Sequence, residues 1–155
     1  MRPRIYISHP MRGNCKSTDP QEFRAHENAN IAQAIENVKW LRYNFPQVDW
    51  YCPGEVNEPI QVAQDLGFLT VEQVLEIDYY IIKDNCHATL FHRWEDSEGM
   101  DGEQQANYEG HNLGCTINDT KFIWHCDYNV IRKFVEEVAS KYSNSEATEN
   151  AKIEN

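Results

Sequence analysis

Two carboxylates, a tyrosine, a serine and an arginine are spaced in this chain as a small-molecule active site would need them. The stretch Ser97-Glu-Gly-Met-Asp-Gly-Glu103 follows an apolar run, Ala88-Thr-Leu-Phe91. It reads as a polar turn that reopens as a helix. The hydroxyl of Ser97 and the free amides after Gly99 suit a phosphate at a helix N-terminus. Glu103, one helical turn in, then points at whatever that phosphate is attached to. Asp78 supplies a second carboxylate from an upstream helix, beside its apolar face. A paired Asp and Glu at a sugar ring is the usual apparatus for breaking a glycosidic bond. One carboxylate attacks or stabilises the anomeric carbon and the other handles the leaving group. Read without chemistry, the same loop is a solvated turn with helix caps, and spacing alone leaves both readings open.

The other half of such a site is expected in Ile5-Tyr-Ile-Ser-His-Pro-Met-Arg-Gly13. Arg12-Gly13 is either an anion clamp or a turn with a surface arginine. Tyr6 alternates with Ile5 and Ile7, so it faces the opposite side of the strand, as a catalytic group or as a buried structural one. No G-x-G-x-x-G follows this strand and no G-x-x-x-x-G-K-[ST] occurs anywhere, which argues against NAD and against a P-loop nucleotide. Cysteines 15, 52, 86, 115 and 126 form no C-x-x-C pair and read as reduced thiols. His111 and Cys115 share one possible helix face, but without further ligands no metal site is expected. No cofactor is expected either.

The chain has 155 residues, with 25 acidic and 14 basic side chains for a formal charge of −11. That length builds one domain with a real core. The acidic balance disfavours nucleic acid or an anionic membrane as partner, while one arginine and a helix end can still hold a small anion. No apolar run approaches membrane-spanning length, and the start of the chain turns straight into a strand-like segment, so a cytoplasmic protein is expected.

These groups need a scaffold. Strands are expected at 5–7, 48–52, 88–91 and 121–124. Asp19-Pro-Gln-Glu22 has the form of a helix start with a capping box, and Ile31, Ile35, Val38 and Leu41 carry that helix to about Asn44, before Pro46. Asn57 is placed to cap a short helix over 59–66, ending at Gly67. Thr70-Val-Glu-Gln73 is a second capping box, opening a helix with Val71, Val74, Leu75, Tyr79 and Ile82 on one broad face. A further helix is expected over 103–113 with Gly114 just past its end. Asn129 is expected to cap the last one, with Val130, Phe134, Val135, Val138 and Tyr142 inward. Strands alternating with helices imply a single-domain α/β fold: a flavodoxin- or Rossmann-like parallel sheet of four to five strands with helices on both faces. The domain is expected over 1–142, with 143–155 an acidic polar tail, expected to be disordered. A parallel sheet gathers all strand C-terminal ends at one edge. That edge should collect Tyr6 to Gly13, the loop after Cys52, and Trp94 to Glu103, with Asp78 joining from its helix.

The opening segment resembles the nucleoside 2-deoxyribosyltransferase-like superfamily, in which a tyrosine-bearing first strand runs into a small-residue, Pro, Met-Arg-Gly loop. Phe91-His-Arg-Trp-Glu-Asp-Ser-Glu-Gly-Met-Asp-Gly-Glu103 resembles its second motif, closest to the 2′-deoxynucleoside 5′-phosphate N-hydrolase branch. The resemblance covers most of the chain in layout and about 30 residues in motif. It implies that Glu103 is a nucleophile toward the anomeric carbon, that Asp78 contacts the sugar or base and assists proton transfer, and that Tyr6 orients Glu103. It implies that Ser97, Arg12 and Gly13 hold a 5′-phosphate, with Ser8, His9, Gly99 and Trp94 also at the substrate. The implied reaction is hydrolysis of a (deoxy)nucleoside 5′-monophosphate through a glycosyl-enzyme ester. Alternatives are a transferase moving deoxyribose between bases and a silent nucleotide-binding protein. A homo-oligomer with sites near the subunit interface is also implied.

The chain departs from that pattern in two places. Ser8-His9 stands where the family has a small pair including Gly, and His9 can narrow the loop or touch substrate itself. The stretch after Glu103 is about one turn longer than usual, which makes Glu109 a rival nucleophile. Residues 55–70 match no motif and are expected to carry base specificity.

Overall fold

Alternating β-branched and aromatic residues make β1 (Arg4–Ser8) a strand with two different faces: Ile5 and Ile7 on one side, Tyr6 and Ser8 on the other. The computed structural model describes the backbone of residues 2–95, 99–118, 120, 121, 123 and 125–153, and their side chains as far as Tyr142 except at 57, 118, 125 and 126. After β1 come α1 (Pro20–Asn44), β2 (Asp49–Tyr51), a 3-10 turn (Pro53–Val56), α2 (Asn57–Asp65), α3 (Val71–Asn85), β3 (Ala88–Arg93), α4 (Gly99–Glu109), β4 (Leu113–Asn118) and α5 (His125–Ile153). The four strands form one parallel sheet in the order β2-β1-β3-β4.

Helices cover both faces. Ile5, Ile7, Trp50, Ala88, Leu90 and Ile117 pack against Ala34, Val38 and Leu41 of α1 and Ile131, Phe134, Val135 and Val138 of α5. Fully burying each Val, Leu, Ile or Phe side chain of this set contributes about 1.5–3 kcal/mol. Trp50 enters this layer because its indole nitrogen donates to the Phe45 carbonyl at 3.2 Å. On the other face Tyr6 packs with Ile82 and Cys86 from the α3 side and Ala106 of α4. Among the described residues no helix is long and apolar enough to cross a membrane.

The helix starts follow their caps. The Asp19 side chain accepts from the Gln21 amide, with Pro20 at the first helical position. Glu22 does not close a box there: it accepts from Ser17 at 2.6 Å, and Ser17 Oγ accepts the Asp19 amide at 3.2 Å. Thr70 and Gln73 do form the expected reciprocal box. Asn57 lies inside α2, whose cap is Val56.

The chain's second half corrects the sequence reading. The fourth strand is Leu113–Asn118, paired with β3 from Ala88↔Leu113 to Arg93↔Asn118, and Lys121 and Ile123 lie outside any strand. The reason is that α4 starts at Gly99 rather than Glu103 and so ends at Glu109. His111 then takes a left-handed φ of 54°, turning the chain into β4. Gly114 is consequently a strand residue: a Cβ there would press on Asn107 of α4 and on Phe91. The segment at 121–123 is instead pinned to α1, Asn37 donating to the Lys121 carbonyl at 2.8 Å and accepting from the Ile123 amide. Asn129 sits inside α5 rather than at its start, and Val130 is 49 % exposed, the inward position being Ile131. The α5 backbone runs from His125 to Ile153.

Candidate functional site

The C-terminal ends of the strands open into a cavity of about 240 Å³. β1 delivers His9, and the loop behind it Met11, Arg12 and Gly13. α3 contributes Val71, Val74, Leu75 and Asp78, and α4 contributes Gly99 and Glu103. Phe23 and Glu27 of α1 and Gln64 of α2 line the remaining side.

Glu103 is the most heavily engaged group there. The register pairs Tyr6 with Thr89 and Ser8 with Phe91, which puts Tyr6 and Ser8 on the face that α4 covers. Tyr6 donates its hydroxyl to Glu103 Oε1 at 3.0 Å, and Ser8 donates to Oε2. Ser8 is fully buried, so in this structure its hydroxyl serves the carboxylate. Burial raises the Glu103 carboxyl to about 7. The Asp78 charge adds to that rise, while Ser8, Tyr6 and the Arg93 charge oppose it. Asp78 is itself raised to about 6 by burial, against the Tyr6 hydroxyl. Tyr6 is pushed well above its ordinary value by burial and by Glu103, so it stays a donor. Tyr51 stacks on Tyr6 with ring centroids 5.6 Å apart.

The opening loop is shaped by two close approaches. Gly13 has φ +59°, and a Cβ there would overlap the Glu95 carboxylate. Glu95 accepts from Asn30 Nδ2 at 2.5 Å and from the Asn14 amide at 3.4 Å, with His26 Nε2 at 3.2 Å. Arg12 faces the cavity with its Nε 3.7 Å from Glu27 Oε1.

His9 is buried and lines the cavity. Burial and the nearby His92 lower its imidazole to about 3, so it is neutral near pH 7. Trp94 stacks on it at 6.1 Å and packs into the α1/α5 core layer instead of lining the cavity. The loop after Cys52 backs His9, with Gly54 beside its ring and Cys52 Sγ 3.8 Å from Nε2. The structure thus brings together Tyr6, Ser8, His9, Arg12, Gly13, Asp78, Gly99 and Glu103. Ser97 lies outside the described residues.

Glu109 is far from equivalent to Glu103. It accepts from Tyr79 and from Gln105 at 2.7 Å, with Lys83 at 3.4 Å, and these donors lower it to about 2. It is not part of the cavity wall. His111 and Cys115 do not share a helix face, one lying in a turn and the other in β4. Among the described residues no group of three or more His, Cys, Asp or Glu could hold a metal ion.

Sequence reasoning missed Glu27, Phe23, Gln64 and Glu95. Gln64 falls in the stretch that carries no motif, and Glu27 and Phe23 are unremarkable at the start of a long helix. Only the fold shows that the start of α1 overhangs the strand ends.

A carboxylate that ionises near neutrality and is oriented by two hydroxyls can act as nucleophile or general base, and a second raised carboxyl beside it can carry a proton. Comparison with protein-family models, with curated proteins and with solved structures returns no match to this chain.

Proposed function

We propose that the protein hydrolyses the N-glycosidic bond of a (deoxy)nucleoside 5′-monophosphate. The observation that carries this reading is Glu103, bound by Tyr6 and Ser8 in a cavity that also holds Asp78. Glu103 attacks the anomeric carbon and the bond to the base breaks, its electron pair leaving with the base. Asp78 contacts the sugar or base and assists proton transfer to the leaving base. Water then attacks the anomeric carbon, its proton passing to Asp78, and Glu103 leaves as a carboxylate. Tyr6 and Ser8 hold the carboxylate in line and support its charge. The amides at the start of α4, with Ser97, are the assigned anchor for the 5′-phosphate. The free thiols fit a cytoplasmic setting. Exposed Tyr80 and Tyr108 on α3 and α4 fit a homodimer.

A second reading, transfer of deoxyribose from an uncharged nucleoside to another base, is favoured by one contact. Glu27 stands beside Arg12 and offsets the positive charge that a phosphate would seek. Incubation with ribo- and 2′-deoxyribonucleoside 5′-monophosphates and with nucleosides, E103A in parallel, separates the two. Base release from monophosphates that is lost in E103A supports hydrolysis, and release only when a free base is added supports transfer. No release under either condition overturns both.

A further inference from the structure

The wall supplied by α1 and the opening loop carries polar groups that the chemistry at Glu103 does not use. Glu27 lines the cavity although its side chain is only 5 % exposed. Its two oxygens differ. Oε2 accepts from Arg24 Nη1 at 2.9 Å, and Arg24 is anchored by Asp65 at 2.9 Å. Oε1 makes no hydrogen bond to a described residue and stands 3.7 Å from Arg12 Nε, beyond hydrogen-bond reach. Arg12 likewise donates no hydrogen bond to a described residue. One edge of the carboxylate is fixed, and the other is an unused acceptor beside an unused donor.

A carboxylate only accepts and a guanidinium only donates. A slightly opened pair of this kind complements a ligand edge with an N–H donor next to an acceptor, which is what a nucleobase presents. The neighbouring Met11, Phe23 and Val71 offer apolar surface for the faces of a flat ring. A phosphate is poorly matched there, because it would sit against the fixed Glu27 charge. We propose that Glu27 and Arg12 are the base-reading pair of this site, a nucleobase edge docking against both at once while the sugar faces Glu103. The identity of the ligand rests on the N-glycoside reading above, and the pair serves nucleosides and nucleotides alike. It moves Arg12 from the phosphate to the base and leaves the phosphate to the start of α4.

The test is calorimetric binding to the full chain carrying E103Q, which blocks turnover. The probes are inosine, uridine, their 5′-monophosphates, and ribose 5-phosphate, which has no base. E27Q is then added. Arg24 keeps the amide oxygen, so the amide NH2 turns to the cavity and faces the N–H of the base, donor against donor. Expected is a loss of about tenfold or more for the preferred nucleoside and its monophosphate alike, with ribose 5-phosphate unchanged. A loss confined to phosphate-bearing probes, no loss, or no binding by any probe overturns the proposal. Thermal melting checks that E27Q folds, and E27D, which shortens the reach of the acceptor, replaces it if it does not, with the same outcomes expected. Base release by the wild-type chain is scored separately. Glu27-dependent nucleoside binding without base release removes the hydrolase and keeps the base-reading pair.

Discussion

Tyr6 and Glu103, 97 residues apart in the chain, meet at 3.0 Å across the junction of β1 and α4. The contact favours the charged carboxylate, as does that of Ser8, whereas burial and Asp78 favour the neutral acid. These influences have opposite signs, so substitutions should separate them. If Glu103 must be ionised to react, base release rises with pH as the carboxylate pair titrates and falls again where Asp78 can no longer supply a proton. Y6F and S8A should move that rising limb to higher pH, and D78N should move it to lower pH. A pH–rate series on the variants checks this. Shifts of one common sign would mean that these groups do not tune Glu103.

The same titration reaches stability. Glu103 is raised from an ordinary 4.5 to about 7, so the folded state binds its proton more tightly than the unfolded chain does. The associated stability is fully present below about pH 4.5 and is lost as pH rises through 7, an amount on the order of 3 kcal/mol. E103Q mimics the neutral acid at every pH. Urea unfolding should therefore find E103Q and wild type similar at pH 4.5 and E103Q the more stable at pH 8. Equal stabilities at pH 8 would mean the carboxyl is better solvated than its burial implies.

Gly13 answers to backbone geometry and to Glu95 together. An alanine there adopts φ +59° at a cost of about 1–2 kcal/mol and must also displace the Glu95 carboxylate. G13A should lower the melting temperature and weaken ligand binding, since the loop forms one wall of the cavity. Adding E95A should recover part of the loss, because the steric conflict goes while the strained φ stays. Full recovery would assign the whole cost to the clash.

Ser97 is where the phosphate expectation stands or falls. S97A should reduce kcat/KM for 5′-monophosphates by about tenfold, the value of one charge-assisted hydrogen bond, and change nucleosides little. Equal losses for both substrates would remove its phosphate role.

The parts of the fold that sequence revealed share a local cause. β1 and α3 announce themselves through strict alternation and a reciprocal capping box, and both form as read. The fourth strand was hidden because Gly114 looks like a helix stop. Its true role is to let Asn107 and Phe91 approach β4, and that depends on α4 lying over the sheet. The pleat places Tyr6 opposite Ile5 and Ile7 as alternation suggests, but what Tyr6 meets there, Glu103 of α4, is set by how the helix lies over the sheet. Glu27 was not legible, because its meaning comes from Arg12 and Arg24, and a helical pattern carries no information about what lies across from it.

Glu109, at the end of α4, is the rival to Glu103. Its carboxylate is occupied by Tyr79, Gln105 and Lys83, lowered to about 2, and off the cavity wall. A group so placed is permanently charged at working pH and stands off the cavity that Glu103 lines. E109A should release base at close to the wild-type rate, while E103A loses about a thousandfold or more, as removal of a nucleophile does. Parallel assays at one enzyme concentration are enough. A collapse in E109A with activity kept in E103A would put the reacting carboxylate at the other end of α4, and the cavity bounded by Asp78 would then need a different occupant.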